Sequence, residues 1–429
     1  MNKYFQVISK FVHSINDKGF FYLFSANVLI QIVGFGSQFI VAWLLTPEQL
    51  GQIKIMQTYL SIALLITTCG FTTSVLKLCS ENRQKGEKLF IYKKALKYVG
   101  FTLLITWPLL LVVTELGLVS KDKEIIRMFP YFSLALIPWT FTGIFINYLQ
   151  AIKQVISLSK IQSITKIISV GGIIILTYIF GFKGYICAVI ISYIFTYIFL
   201  KRKIIELNKS IYEVEIEKPF KTHWQYSSIA FLTLLVGQVA LFADVFLMNY
   251  FIKDRVAIGY YSFALTLTMI NYIFTTTVQQ IVVPLLSEKS SDSNEIKEVT
   301  KKYEKINIVA SIIVSVLLVI VVPIFIKLLF GTKYEQSIPF FIILVIAWFF
   351  QNTVTFKGYA LLGSGRIGYN FIVSAINLCI GFTVSYFLMT IYGIIGLAYG
   401  KLITNFVSIF FVSIFYRIGM KSEITKLLN

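Results

Sequence analysis

The chain has 429 residues, of which 57% are hydrophobic, 16% aromatic and only 14% charged, with a mean hydropathy of +0.78. Soluble domains carry about 25% charged residues, so this composition excludes cytosolic enzymes, disulfide-stapled secreted scaffolds and disordered chains, and points to helices that cross a bilayer. The formal charge of +19 would suggest nucleic acid in a soluble protein, but in a polytopic one Lys and Arg gather in cytoplasmic loops for reasons of insertion.

Met1 to Gly19 is polar and basic, lacks the apolar core and cleavage site of a signal peptide, and reads as a cytoplasmic tail. Apolar runs of crossing length then fall near 20–45, 53–76, 98–119, 128–150, 161–181, 184–200, 225–250, 258–286, 306–330, 337–361, 367–390 and 392–416. Membrane strands would alternate apolar and polar residues in segments of about ten, so the expected fold is an all-α polytopic membrane protein of about twelve transmembrane helices. Cys69, Cys79, Cys187 and Cys379 lie in or beside these runs without metal-site or disulfide spacing, and are read as packing residues.

If the N-terminus is cytoplasmic, 29 Lys/Arg fall on that side and nine on the other, Lys54 among the nine, while Lys401 lies within the last span. This asymmetry predicts both termini inside. The longest loops, at 77–97, 201–221 and 289–305, are expected to be solvated linkers, too short for a catalytic domain.

The two halves repeat. Leu45-Thr-Pro-Glu-Gln-Leu-Gly51 after the first span has a counterpart in Ile252-Lys-Asp-Arg-Val-Ala-Ile-Gly259 after the seventh, with the glycines 208 apart. Ser80-Glu81 and Ser287-Glu288 are 207 apart, and Phe180-Gly-Phe-Lys-Gly184 and Tyr392-Gly-Ile-Ile-Gly396 are 212 apart. A repeat of six spans enters the membrane twice in the same direction, so the halves, 1–210 and 211–429, are expected to form parallel six-helix bundles around a central cavity. Alternating-access transporters are built this way.

These motifs carry a resemblance. The first-span ending Leu45 to Gly51, the Ser80-Glu81 that follows, Asp244, Gly259-Tyr-Tyr-Ser-Phe-Ala264, Val283-Pro-Leu-Leu-Ser-Glu288 and Ile391-Tyr-Gly-Ile-Ile-Gly-Leu-Ala398 resemble the polysaccharide flippases of the multidrug/oligosaccharidyl-lipid/polysaccharide exporter (MOP) superfamily. The likeness is to the O-antigen and capsule translocases in particular. It implies a bacterial inner-membrane protein that moves an undecaprenyl-pyrophosphate-linked oligosaccharide to the outer leaflet for lipopolysaccharide or capsule synthesis. Alternating access, proton or sodium coupling and a polymerase partner are further expectations, and no cofactor is implied.

Ionisable residues at membrane depth are costly and mark function. Asp244 continues a stripe of Ala230, Thr233, Gly237 and Ala240 at helical spacing and is the candidate ion-coupling site or gate; meeting headgroups or Lys253 is the structural alternative. Lys401 is a candidate for the substrate pyrophosphate, or else snorkels or pairs with a carbonyl. Lys153, Lys357 and Arg366, at cytoplasmic span ends, could capture the same headgroup or serve topology alone. Asn27, Gln31, Gln38, Gln238, Gln351, Asn352 and Asn377 could face a cavity and bind sugar hydroxyls, or hold helices together. The sequence has no nucleotide-binding loop and no metal-ligand cluster, and His13 and His223 stand alone. A cation exporter of the same superfamily would want a more acidic cavity. A membrane polymerase or ligase would want a long extracytoplasmic loop, and a peptidoglycan-precursor flippase more arginine.

Overall fold

A computed structural model of the chain describes residues 33–34, 36–214, 219–269, 271, 293–364 and 366–421, and every regular element among them is a helix. After a helical stretch at 36–44 come α1 (Pro47–Thr68), α2 (Phe71–Ser80), α3 (Lys85–Glu115), α4 (Lys123–Ser133), α5 (Leu136–Ala151), α6 (Val155–Asn208) and α7 (Pro219–Leu241). Then follow α8 (Ala243–Phe251), α9 (Arg255–Leu267), α10 (Ser293–Phe330), α11 (Ser337–Thr353), α12 (Thr355–Gly363), α13 (Ile367–Tyr392) and α14 (Ile395–Lys421). Among the described residues six helices are long and apolar enough to cross a membrane, or nine if each bent pair counts as one span. The protein is an all-α polytopic membrane protein.

Its exterior shows why. Along α10, Ile306, Val309, Ile313, Val316, Leu317, Ile320 and Ile324 are all exposed, an apolar surface that water would not tolerate and that acyl chains would cover. The expected spans coincide with the helices, several as bent pairs: α4 with α5 (48°), α7 with α8 (52°) and α11 with α12 (44°). The first part of the first span, the segment 272–286 of the eighth and the motif at Val283 to Glu288 lie outside the described residues.

The expected linkers are largely helix instead. Lys85 to Lys97 opens α3 behind a capping box between Gln84 and Glu87, 201–208 closes α6 and 293–305 opens α10. The basic residues there ride on helical extensions, where backbone groups stay paired and the charges remain outside the apolar segment.

The repeated motifs have a shared local physics. Thr46 and Gln49 exchange hydrogen bonds of 3.0 and 3.2 Å across the start of α1, a capping box with Pro47 at the first helical position. Asp254, 208 residues on, caps α9 by accepting from the Val256 and Ala257 amides at 3.0 Å. The glycines that end the two motifs approach each other: a Cβ on Gly51 would lie 3.1 Å from the Gly259 nitrogen, and one on Gly259 would strike the Pro47 carbonyl. At the later motif, Gly181 (φ 57°, ψ −135°) and Gly393 (φ 66°, ψ −147°) turn the chain in nearly the same conformation, a region open to glycine almost alone. Gly181 thereby splits the 54-residue α6 into the expected fifth and sixth spans.

The chain divides into two compact units, one of Met1–Leu44, Ala63–Val119 and Ile126–Leu232, the other of Leu45–Ile62, Ser120–Ile125 and Thr233–Asn429. The first has a core from α2, α3, α5 and α6 around Phe71, Val99, Phe145, Tyr148 and Leu200. In the second, Ile296, Phe356, Ala360, Leu361 and Met420 join α10, α12 and α14.

The glycine turns give a stability test. Gly181→Ala and Gly393→Ala should each cost about 1–3 kcal/mol through the forced positive φ, read as a lower unfolding temperature of the purified protein in detergent. Gly171→Ala, inside α6 with nothing near its added Cβ, should leave that temperature unchanged or raise it.

Candidate functional site

The second unit contains an ion pair at membrane depth, and the bend between α7 and α8 creates it. At Phe242 (φ −102°, ψ 12°) the helix breaks, which frees the last carbonyls of α7 and the first amides of α8. Lys401 on α14 donates from Nζ to the Leu241 carbonyl at 3.3 Å and to Asp244 Oδ2 at 2.8 Å. Asp244, in the first turn of α8, is 3% exposed. Its Oδ1 accepts from the Val245 amide at 3.0 Å and its Oδ2 from the Tyr261 hydroxyl at 2.8 Å. Each charge therefore sits at the helix end whose dipole favours it, the cation on a C-terminus and the carboxylate on an N-terminus.

A second lysine joins them. Lys54, on the part of α1 that belongs to this unit, is 9% exposed. Its Nζ lies 5.9 Å from the centre of the Phe242 ring, within cation–π range, and it interacts electrostatically with both Asp244 and Lys401. Lys54, Asp244 and Lys401 line a cavity of about 570 Å³ together with Phe242, Trp348 and Asn405. Two lysines against one carboxylate leave one net positive charge among the described residues of the lining, whose other members are apolar or neutral polar side chains, and it is felt more strongly there than in water. The site thus suits an anion or a polar group carrying one.

Several expected residues gather here. Gln238 and Gln351 line the cavity with Asp244 and Lys401, as does Asn352, although Asn352 is tied to its neighbours. It accepts at its carbonyl from Asn307 at 2.7 Å, and its amide donates to Asn307 at 3.4 Å and to Ser311. Asn377 lines an adjoining cavity, with Asp244 and Lys401 between the two. Others lie elsewhere. Lys357 pairs with Glu304 at 2.9 Å and donates to Ser413 at 3.1 Å, and Arg366 points Nη1 at the Met420 sulfur at 3.3 Å. Lys153 and Gln38 belong to the first unit, with Lys153 exposed in a left-handed turn (φ 61°). Asn27, Gln31 and His13 lie outside the described residues.

Three readings of the sequence need correction. Lys54, counted with the non-cytoplasmic flank although it opens the expected span 53–76, lies well inside α1 and not at its end, because the capped start at Thr46 begins that helix more than a turn before residue 53. Asp244 meets Lys401 rather than Lys253. The five-residue stripe is not continuous, since the break at Phe242 separates Asp244 from α7; Thr233, Gly237, Ala240 and Asp244 nevertheless line one cavity. Tyr261 belongs to the Gly259 to Ala264 motif, and its pairing with Asp244, 17 residues away, has no signal in helical spacing.

The pair can be tested by a double-mutant cycle. Lys401→Met leaves a buried carboxylate without its cation and should destabilise the protein more than the double variant Asp244→Asn/Lys401→Met, with a coupling of about 1–3 kcal/mol. Thermal unfolding in detergent reads the cycle; additive effects would mean that the contact carries no energy.

Comparisons with known proteins place the chain by family and by fold. Residues 40–339 match the family described as "Polysaccharide biosynthesis protein". Among curated proteins no sequence matches the chain. Among solved structures, the Lipid II flippase MurJ in an inward closed conformation aligns with a TM-score of 0.75 at 17% identity, covering 92% of this chain and 87% of that one. An inward-facing multidrug resistance MATE family transporter of the MOP superfamily gives 0.72 at 14% identity, covering 93% and 94%. A MOP superfamily transporter from Pyrococcus furiosus Vc1, described as having a binding pocket of reverse polarity, gives 0.68 at 14% identity, covering 93% and 95%. At these identities the structures share the fold alone, while the sequence match runs from the end of the first span past the ion pair's Asp244. The chain therefore belongs to the polysaccharide biosynthesis protein family, built on the fold of the MOP transporters.

Proposed function

We propose that the protein is a flippase that carries undecaprenyl-pyrophosphate-linked oligosaccharide repeat units from the cytoplasmic to the outer leaflet of a bacterial inner membrane by alternating access, for the synthesis of a cell-surface polysaccharide such as O-antigen or capsule. The observation that carries this reading is the cavity in which Lys54 and Lys401 flank the single carboxylate of Asp244. A pyrophosphate is a multiply charged anion, and ammonium groups in a water-poor cavity bind it through charge-assisted hydrogen bonds. Lys401 is held by Asp244, so a substrate anion competes with Asp244 for the same ammonium. A cation exporter would need the opposite balance, and the excess of lysine over carboxylate argues against it.

The charge distribution supports the rest. The 29 to nine division of basic residues favours cytoplasmic termini, although Lys54 now leaves the smaller group. On the side opposite the basic loops, the connections at 116–122, 252–254 and 331–336 are short, which favours transport over polymerase chemistry. Asp244 is the residue through which a proton or sodium gradient would act, because neutralising it frees Lys401.

The test is the sidedness of lipid-linked oligosaccharide in oriented membrane vesicles, probed with an impermeant glycan-specific reagent. Without the protein the glycan should accumulate on the cytoplasmic leaflet; unchanged sidedness would defeat the flippase reading and make cation efflux the next assay. Lys401→Ala and Lys54→Ala should each reduce export at least tenfold at normal protein levels, with Lys401→Arg keeping part of it. Asp244→Asn should slow export under an ion gradient, and full export by that variant would remove Asp244 from coupling.

A further inference from the structure

Beyond the charged cavity lies a second one of about 320 Å³, which shares Gln238, Leu241, Asp244, Gln351, Lys401 and Asn405 with the first. The Asp244–Lys401 pair therefore forms part of the wall common to both. The two linings differ in kind. The first holds Lys54 and the aromatic rings of Phe242, Trp348 and Tyr359. Among the described residues the second has no aromatic ring and no further charge, and it adds the hydroxyls of Thr233, Ser374, Ser385 and Thr404 and the amide of Asn377. Asn377 Nδ2 donates to Ser408 at 3.0 Å, while its Oδ1 is buried with no partner among the described residues. A buried acceptor without a donor is costly, and Asn377 is one of the residues that line this cavity.

We propose that this second cavity is the subsite for the sugar residue joined directly to the pyrophosphate. The inference rests on the flippase reading and deepens it, because it assigns the neighbouring part of the same substrate. A sugar presents hydroxyls, and in an acetamido sugar an amide N–H, that match amide and hydroxyl side chains. The lining offers no flat ring on which to stack a base or a drug. At the small end of ligand pockets, about 300 Å³, it admits one sugar residue and leaves the remainder of the repeat unit outside. The order is also right, since a phosphate at Lys401 places the anomeric end of that sugar beside the shared wall.

Gly237 provides a selective probe. Of the two cavities it lines the second, and a Cβ added there meets nothing within 4 Å, so the side chain of Gly237→Leu starts into open space, narrows the cavity and improves helix propensity. Asn377→Ala removes the unpartnered acceptor. Full-length protein in lipid nanodiscs would be titrated with undecaprenyl pyrophosphate and with the same lipid carrying one N-acetylhexosamine. The wild type should prefer the glycosylated lipid by about tenfold, the worth of one or two net hydrogen bonds. Both variants should lose that preference while binding the bare lipid as the wild type does. Equal binding of the two lipids by the wild type, or a preference retained in both variants, would overturn the sugar subsite and leave the pyrophosphate site standing. Failure of the wild type to bind either lipid would overturn the flippase reading and this subsite with it.

Discussion

An ammonium and a carboxylate cannot remain at membrane depth unless something other than water solvates them, and the break at Phe242 supplies that solvation. A continuous helix would offer neither the Leu241 carbonyl to Lys401 nor the Val245 amide to Asp244. Bending the chain at this point exposes one helix end of each polarity within a few ångströms, and the ion pair closes across them. Tyr261 completes the carboxylate's shell with a third hydrogen bond, so Asp244 is fully paired while Lys54 remains as the charge in excess. Cavity shape, net charge and helix angle in this unit all depend on that local arrangement.

The same dependence explains why the internal repeat is symmetric in its scaffold and asymmetric in its chemistry. Helix caps at Thr46 and Asp254, and glycine turns at Gly181 and Gly393, recur because each copy must start and reverse its helices at the same points. With an offset of 208 the residue matching Asp244 in the first copy is Gly36, and with an offset of 212 the residue matching Lys401 is Val189. Both members of the pair are thus missing together. Keeping one without the other would leave an unpaired charge in a low-dielectric setting, which is far more costly than having neither.

Fold class and span positions were legible because hydrophobic length is a local property of the sequence, and the bilayer thickness fixes it. The repeat was legible for a similar reason, since caps and glycine turns are encoded within a few residues. Asp244 and Lys401 each stood out as polar residues in apolar runs, but their partnership joins positions 157 apart, and no periodicity reports such a contact. Lys54 was hidden by its place at the very start of the expected span 53–76, where the positive-inside count takes a lysine as part of the flank. The Thr46–Gln49 capping box was the signal that could have corrected it, because it starts the helix at Pro47 and leaves Lys54 two turns inside. The candidates Lys357 and Arg366 were chosen for nearness to span ends, and Lys357 there answers to a local partner, Glu304.

On the flippase reading, the resident carboxylate has a kinetic purpose as well as a structural one. Two uncompensated lysines in a cavity within the helical bundle would hold a pyrophosphate strongly, and a carrier that binds too tightly releases slowly, because affinity among related complexes resides mostly in the dissociation rate. Asp244 tempers this by remaining beside Lys401 as an intramolecular competitor that is always present at high effective concentration. Substrate entry then exchanges one anion for another around the same ammonium, and substrate departure exchanges them back, so neither step leaves a bare charge in the membrane. Lys54, which has the Phe242 ring rather than a dedicated carboxylate beside it, gives the incoming anion its net attraction. The balance of two lysines against one carboxylate is therefore what a site needs in order to capture a charged headgroup and still let it go.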